Sequence, residues 1–195
     1  MTERVDPTRA ALLLMDFHTS TFRLVSDPAT LLDRAKAARR WAHDAGVQVV
    51  HVRVAFTAQD RASIPSRNKS FTKLATDGRF AEGSPDAEIH ADLRPAEGEI
   101  VTTKTRVGAF STTNLANHLS ARGIDTLILG GIATSGVVLS TLRDAADRDY
   151  RLLVLSDCCA DADPEVHRVL VDKVFPRQAD IVETSDLEGL CASSV

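Results

Sequence analysis

Apolar runs of strand length alternate along this chain with stretches of helical length. Ala11–Met15 (ALLLM) is continuously apolar and stops at Asp16. Leu31–Ala45 places Ala35, Ala38 and Ala42 at helical spacing with Trp41 alongside, and Gly46 ends it. Val47–Val54 is β-branched and reads as a strand. Ile100–Thr103 is a shorter strand ending at Lys104, and Thr112–Arg122 reads as a helix closed by Gly123. Thr126–Leu129 (TLIL) is a buried strand ended by Gly130-Gly131, and Ser135–Arg148 is helical with Val138, Leu142 and Ala145 on one face. Leu152–Leu155 is a strand, Pro164 opens a helix to about Val174, and Ala179–Val182 is the last strand candidate.

This alternation predicts an α/β domain: a mostly parallel sheet with helices on both faces. Unbroken apolar strands fit, because both faces of such a sheet are covered. Thr57–Gly98 breaks the rhythm. It is rich in Pro, Gly, Ser and charge, too long for an ordinary connection, and is expected to cover a site.

At 195 residues, 44% of them hydrophobic, one domain over 1–195 is expected, with 186–195 as a C-terminal tail. A net charge of −4 without a dense Lys/Arg run argues against nucleic acid. No apolar run approaches the ~20 residues that span a bilayer. The N-terminus lacks an apolar signal core. Three cysteines, two of them adjacent, make a poor disulfide framework, and a reducing cytoplasm is expected. Six histidines without ligand spacing predict no metal, and no cofactor is expected. His51, inside a strand, reads as a packed residue.

Ligands of open parallel sheets bind beyond the carboxyl ends of the strands. Asp16, Lys104 and the turn Gly130–Val137 each follow a strand, so a carboxylate, an ammonium and a helix start are expected on one rim where neighbouring strands end. The acid and amine can hold each other ionised, and the helix start offers N–H donors to developing negative charge. From position alone, a capping Asp and a solvated Lys are equally open.

The residues also carry a resemblance. Ala11–Asp16, Thr103-Lys104-Thr105-Arg106-Val107-Gly108-Ala109-Phe110 and Gly131-Ile132-Ala133-Thr134-Ser135-Gly136-Val137-Val138 resemble three ordered motifs of the isochorismatase-like, or cysteine hydrolase, family. Ser140–Arg151 and Asp157-Cys158-Cys159-Ala160-Asp161 fit the same pattern, so the resemblance spans about 8–185. It implies a three-layer α-β-α, Rossmann-type fold with about six mostly parallel strands. It also implies a cis peptide at Ile132–Ala133, backbone N–H groups of Ala133 and Val137 forming an oxyanion hole, and a dimer or tetramer.

The sequence departs from that pattern at the nucleophile, whose position is occupied by Val137. Valine has no nucleophilic atom, which rules covalent catalysis out at this position. Cys158 and Cys159 read as buried structural thiols, Cys191 as part of a fraying tail, and the hydroxyls of Thr134 and Ser135 as helix caps. His18 stands where the family commonly has glutamine. The chemistry left is acid–base hydrolysis of a small, carboxylate-bearing molecule, with Asp16 as general acid/base and Lys104 orienting it. His18, Phe22, Arg106 and Phe110 are substrate-binding candidates, with core packing the safer reading of the two phenylalanines. The alternative is an inactive relative that binds a small molecule or serves structurally.

Overall fold

A computed structural model describes residues 3–191. Six strands form one sheet: β1 (Ala10–Met15), β2 (Gln48–Val54), β3 (Ile100–Lys104), β4 (Thr126–Ile132), β5 (Arg151–Ala160) and β6 (Asp180–Val182). Their spatial order is β3-β2-β1-β4-β5-β6, and every pairing is parallel. Eight α-helices accompany them among the described residues: α1 (Thr19–Phe22), α2 (Pro28–Ala45), α3 (Ala58–Ala62), α4 (Lys69–Thr76), α5 (Leu115–Ser120), α6 (Leu139–Ala146), α7 (Pro164–Val169) and α8 (Leu187–Leu190).

Side chains of a strand alternate between faces, so β1 feeds two cores. Leu12 and Leu14 meet Leu31, Ala35, Ala38 and Ala42 of α2 on one face. Ala11, Leu13 and Met15 meet Leu115 and Leu119 of α5 and Leu142 and Ala145 of α6 on the other. Asp27 caps α2 by accepting from Thr30 N–H at 3.1 Å, Pro28 opens it, and Gly46 closes it in a left-handed turn.

Several expected boundaries move. The helix expected over Thr112–Arg122 shrinks to α5, because 112–114 form turns in which the Thr113 hydroxyl donates to Ala109 O at 2.5 Å. The helix expected from Ser135 begins as a π-helical turn over Thr134–Val138 before α6. The strand expected to end at Leu155 runs on to Ala160, so Cys158 and Cys159 lie inside β5. Between registered pairs the chain advances two residues on β4 (Leu129 to Gly131) and five on β5 (Val154 to Cys159), which is a bulge. The tail does not fray at Cys191: α8 packs into the core through Leu187 and Leu190, and Cys191 bridges Val5. Residues 192–195 of the expected tail lie outside the described residues.

Thr57–Gly98 is an excursion with structure of its own. It carries α3 and α4, and Phe56, Phe71, Phe80 and Ala87 build a third small core with Val54.

Glu99, just before β3, ties this edge strand to its neighbours. Its side chain is 3% exposed and accepts from Arg39 at 2.7 and 2.8 Å, contacts His43 and His51 at 2.8 and 3.0 Å, and accepts from Ala96 N–H at 2.6 Å. Burial alone would push this carboxyl up. Arg39, the Ala96 amide and His51 outweigh it and bring the carboxyl down to about 2. Burial lowers His51 despite Glu99 beside it.

Two predictions follow from this packing. A group whose folded pKa is depressed stabilises above its unfolded pKa and loses that contribution as pH falls through the folded value. Glu99→Gln should therefore cost about 3 kcal/mol in denaturant unfolding at neutral pH. Its deficit against wild type should shrink between pH 4.5 and about 2, the window of the Glu99 shift; a deficit independent of pH contradicts the ionic account. A Cβ on Gly131 would lie 2.8 Å from Met15 O, where only backbone movement makes room. Gly131→Ala should lower stability by about 1–3 kcal/mol by the same measurement.

Candidate active site

The strand order reverses its direction of growth between β1 and β4, and the crevice beyond their carboxyl ends is where such sheets bind ligands. Asp16 follows β1 there, and the turn after Ile132 follows β4. Asp16 takes a left-handed backbone (φ 57°), a region Asp tolerates better than most residues. Its carbonyl accepts from His18 N–H at 2.8 Å and from the Thr21 hydroxyl at 2.6 Å, which fixes the turn.

Lys104 does not come from a neighbouring strand. β2 lies between β3 and β1, so the expectation of adjacent strands is corrected: the lysine crosses the end of β2. Strand spacing makes this a span of roughly 10 Å, within reach of a long side chain and an aspartate turned toward it. Nζ of Lys104 lies 2.8 Å from Asp16 Oδ2 and donates to Arg106 O at 3.2 Å. The ammonium side chain is 3% exposed. The other carboxylate oxygen, Asp16 Oδ1, is buried with no hydrogen-bond partner, alone in this among the side chains of the described residues.

The turn is held from outside. The Ile132–Ala133 peptide is cis. Asp161 accepts from Ser135 N–H at 2.8 Å, and the fully buried Thr134 hydroxyl bonds His167 Nδ1 at 2.8 Å. Neither hydroxyl caps the helix, contrary to expectation, because the Thr134 hydroxyl is engaged by α7 and the turn carries no side-chain cap. Burial lowers His167, although Asp161 and Asp172 pull the other way. His167 escaped the sequence reading; its only signal was a place on the helix after the Asp157–Asp161 stretch.

Val137 is 2% exposed and packs into the α5–α6 core. The adjacent thiols of Cys158 and Cys159 are both buried. Burial raises Cys158 well above the ordinary thiol range, and raises Cys159 to about 12 against a bond from Gly131 N–H. Both thiols are neutral at neutral pH, and only the thiolate attacks.

The substrate-binding candidates are dispersed. Phe22 packs against Phe17 and His90 at ring distances of 5.7 and 5.2 Å. Phe110 stacks on Tyr150 at 6.0 Å, beneath Arg148. Both are core residues. The Arg106 guanidinium lies 5.7 Å from the Phe71 ring centre and donates to Thr105 O, while its carbonyl steadies Lys104. His18 alone of the four adjoins Asp16, its Nε2 3.7 Å from Oδ1. A groove of about 640 Å³, lined by His43, Gln48, Glu99 and Arg122, opens at the amino end of β1 and β2, away from this chemistry. His51 packs against Glu99 within the sheet. No group of three or more His, Cys, Asp or Glu among the described residues is arranged to hold a metal ion.

Residues 10–186 match the isochorismatase domain model. The chain belongs to the isochorismatase family. This isochorismatase-family chain is 33% identical over 189 residues to the phenazine biosynthesis protein PhzD of Pseudomonas fluorescens, covering 94% of this chain and 86% of that protein. It is 27% identical to the maleamate amidohydrolase of Pseudomonas putida, covering 91% and 84%. Among solved structures, a cysteine hydrolase from Pseudomonas syringae pv. phaseolicola superposes with a TM-score of 0.86 at 22% identity and 97% coverage of both chains, which speaks to the fold. An isochorismatase family protein from Desulfovibrio vulgaris gives 0.82 at 26% identity, covering 93% of this chain and 97% of that one. No helix among the described residues is long and apolar enough to cross a membrane.

If the thiols are neutral and sealed, iodoacetamide at neutral pH should leave Cys158 and Cys159 unmodified in the native protein, as read by mass spectrometry. Rapid native-state labelling of either would contradict the burial assigned to them.

Proposed function

We propose that this family member is a hydrolase of a small, carboxylate-bearing molecule that works by acid–base chemistry at Asp16, without a covalent intermediate. The observation that carries the proposal is the unequal carboxylate: Oδ2 is engaged by Lys104, while Oδ1 is buried and unpartnered. A buried polar atom without a partner costs roughly 1–3 kcal/mol, so its retention asks for a role. A substrate atom fills that role.

For an enol ether the step balances without a nucleophilic side chain. The resting carboxylate takes a proton from solvent on Oδ1 as the substrate enters, and that proton passes to the alkene carbon and leaves an oxocarbenium ion. Water adds to that ion, and the proton it releases returns to Asp16. The resulting hemiketal collapses to a carbonyl and an alcohol. Lys104 holds Oδ2 and steadies the charge that Asp16 acquires when its proton departs. Arg106 is the proposed partner of the substrate carboxylate. The N–H groups of Ala133 and Val137 are the proposed donors to any oxyanion. In this reading Val137 occupies the family's nucleophile position, which favours water as the attacking group. We carry with it the expectation of a cytoplasmic dimer or tetramer and a substrate that enters beneath the 57–98 excursion.

The buried Val137 also favours a second reading, a relative that binds a small acid without turning it over. Both are tested by incubating the protein with isochorismate and with maleamate, following thermal shift and product together. Turnover of isochorismate, lost by about 100-fold or more in Asp16→Asn, is the expected outcome. Full activity of Asp16→Asn refutes the acid role, and stabilisation by an acid that is never consumed favours the binder.

A further inference from the structure

The imidazole of His18 is fully buried and both of its nitrogens are engaged. Val54 N–H donates to Nε2 at 3.2 Å. A backbone N–H only donates, so Nε2 is the acceptor and carries no proton. The proton of the neutral ring is therefore on Nδ1, where it is donated to Glu88 O at 3.3 Å. Nε2 and Asp16 Oδ1, 3.7 Å apart, are thus two acceptors facing each other with no hydrogen bond between them. This explains why Oδ1 is left without a partner.

We propose that His18 is a positioning residue: locked as its Nδ1–H tautomer, it keeps Asp16 Oδ1 free of any donor and clamps the segment around residues 80–90 beside that oxygen. The part concerning Oδ1 rests on the acid role proposed for Asp16. The opposite tautomer would set an N–H against the Val54 amide and place a donor 3.7 Å from the oxygen the substrate has to meet. The Val54 amide decides between the two.

The clamp joins β2 to the excursion. Beside the Glu88 bond, His18 forms an isolated antiparallel bridge with Ile89, and His90 N–H donates to Phe17 O at 2.8 Å. The Ser20 hydroxyl donates to Asp86 O at 3.1 Å, and the Phe80 ring lies 5.3 Å from the imidazole. The charged groups around it are Asp16 and, through it, Lys104; Arg79 behind Phe80; and the Glu88 carboxylate, which turns to Arg53. Adding a proton at Nε2 makes that nitrogen a donor. The bond from Val54 is then lost, and Oδ1 is captured.

The test reads the ring directly. Nitrogen-15 spectra of the imidazole in the full chain should show the Nδ1–H tautomer at pH 8, with no substrate present. Amide exchange at Val54 and at 88–90 should quicken about tenfold or more in His18→Phe, which has neither nitrogen. His18→Gln, whose side-chain oxygen can accept from Val54 and whose amide can donate to Glu88 O, should restore slow exchange. An Nε2–H or charged ring at pH 8 overturns the proposal, as does a His18→Phe variant with wild-type exchange. Full activity of Asp16→Asn removes the acid role and leaves the tautomer and clamp to be judged by the spectra and exchange alone.

Discussion

One contact organises the carboxyl end of this sheet: the Lys104–Asp16 pair, closed at 2.8 Å across the end of an intervening strand. A lysine and an aspartate buried this deeply stay charged only if each supplies what water would have supplied to the other. The surroundings answer to that demand. The Arg106 carbonyl accepts a hydrogen bond from the ammonium, and Asp16 sits in a left-handed turn at the end of β1. The excursion after β2 reaches His18, beside Asp16, through the Glu88 carbonyl and the Phe80 ring. The sheet also has a second ionic knot, at Glu99, on the other end of β3. The edge strand is therefore pinned by buried charge at both ends, with the short alternating pattern of Ile100–Lys104 between them.

The sheet was legible because its strands are buried on both faces. ALLLM and TLIL carry no polar interruption, and the helices between them repeat their alanines and leucines at the right spacing. Legibility ended where polar residues enter an element. Ser156 and Asp157 made β5 look finished at Leu155, yet Asp157 is there to accept from Thr184 N–H and hydroxyl, and the strand bulges around it. The excursion looked structureless because α3 and α4 are short and the aromatic residues of its small core stand far apart in sequence.

The site was legible as to which residues follow which strands, and less so as to what they touch. Asp16 and Lys104 were readable because each stands at the end of a strand legible in the sequence. Their separation by a whole strand was not readable, since strand order is a property of the sheet. His18 was visible as a departure, but its protonation pattern depends on the Val54 amide and the Glu88 carbonyl, 36 and 70 residues away. Phe22 and Phe110 could be read as pocket walls or, more safely, as core, and core is where they lie.

The position of β3 has a consequence for how the chain acquires this pair during folding. β1 and β2 are joined by α1 and α2 alone and can meet early. β3 reaches β2 only after a long excursion has been drawn closed, and the entropy of that closure must be met before the edge strand returns any contact energy. Asp16 leaves the ribosome long before Lys104. A chain caught with its first two strands assembled holds an aspartate whose counter-ion has not arrived. In that intermediate the carboxylate is better off in water than in the crevice, so the ionic centre is expected to seal in the last act of assembly, when β3 docks.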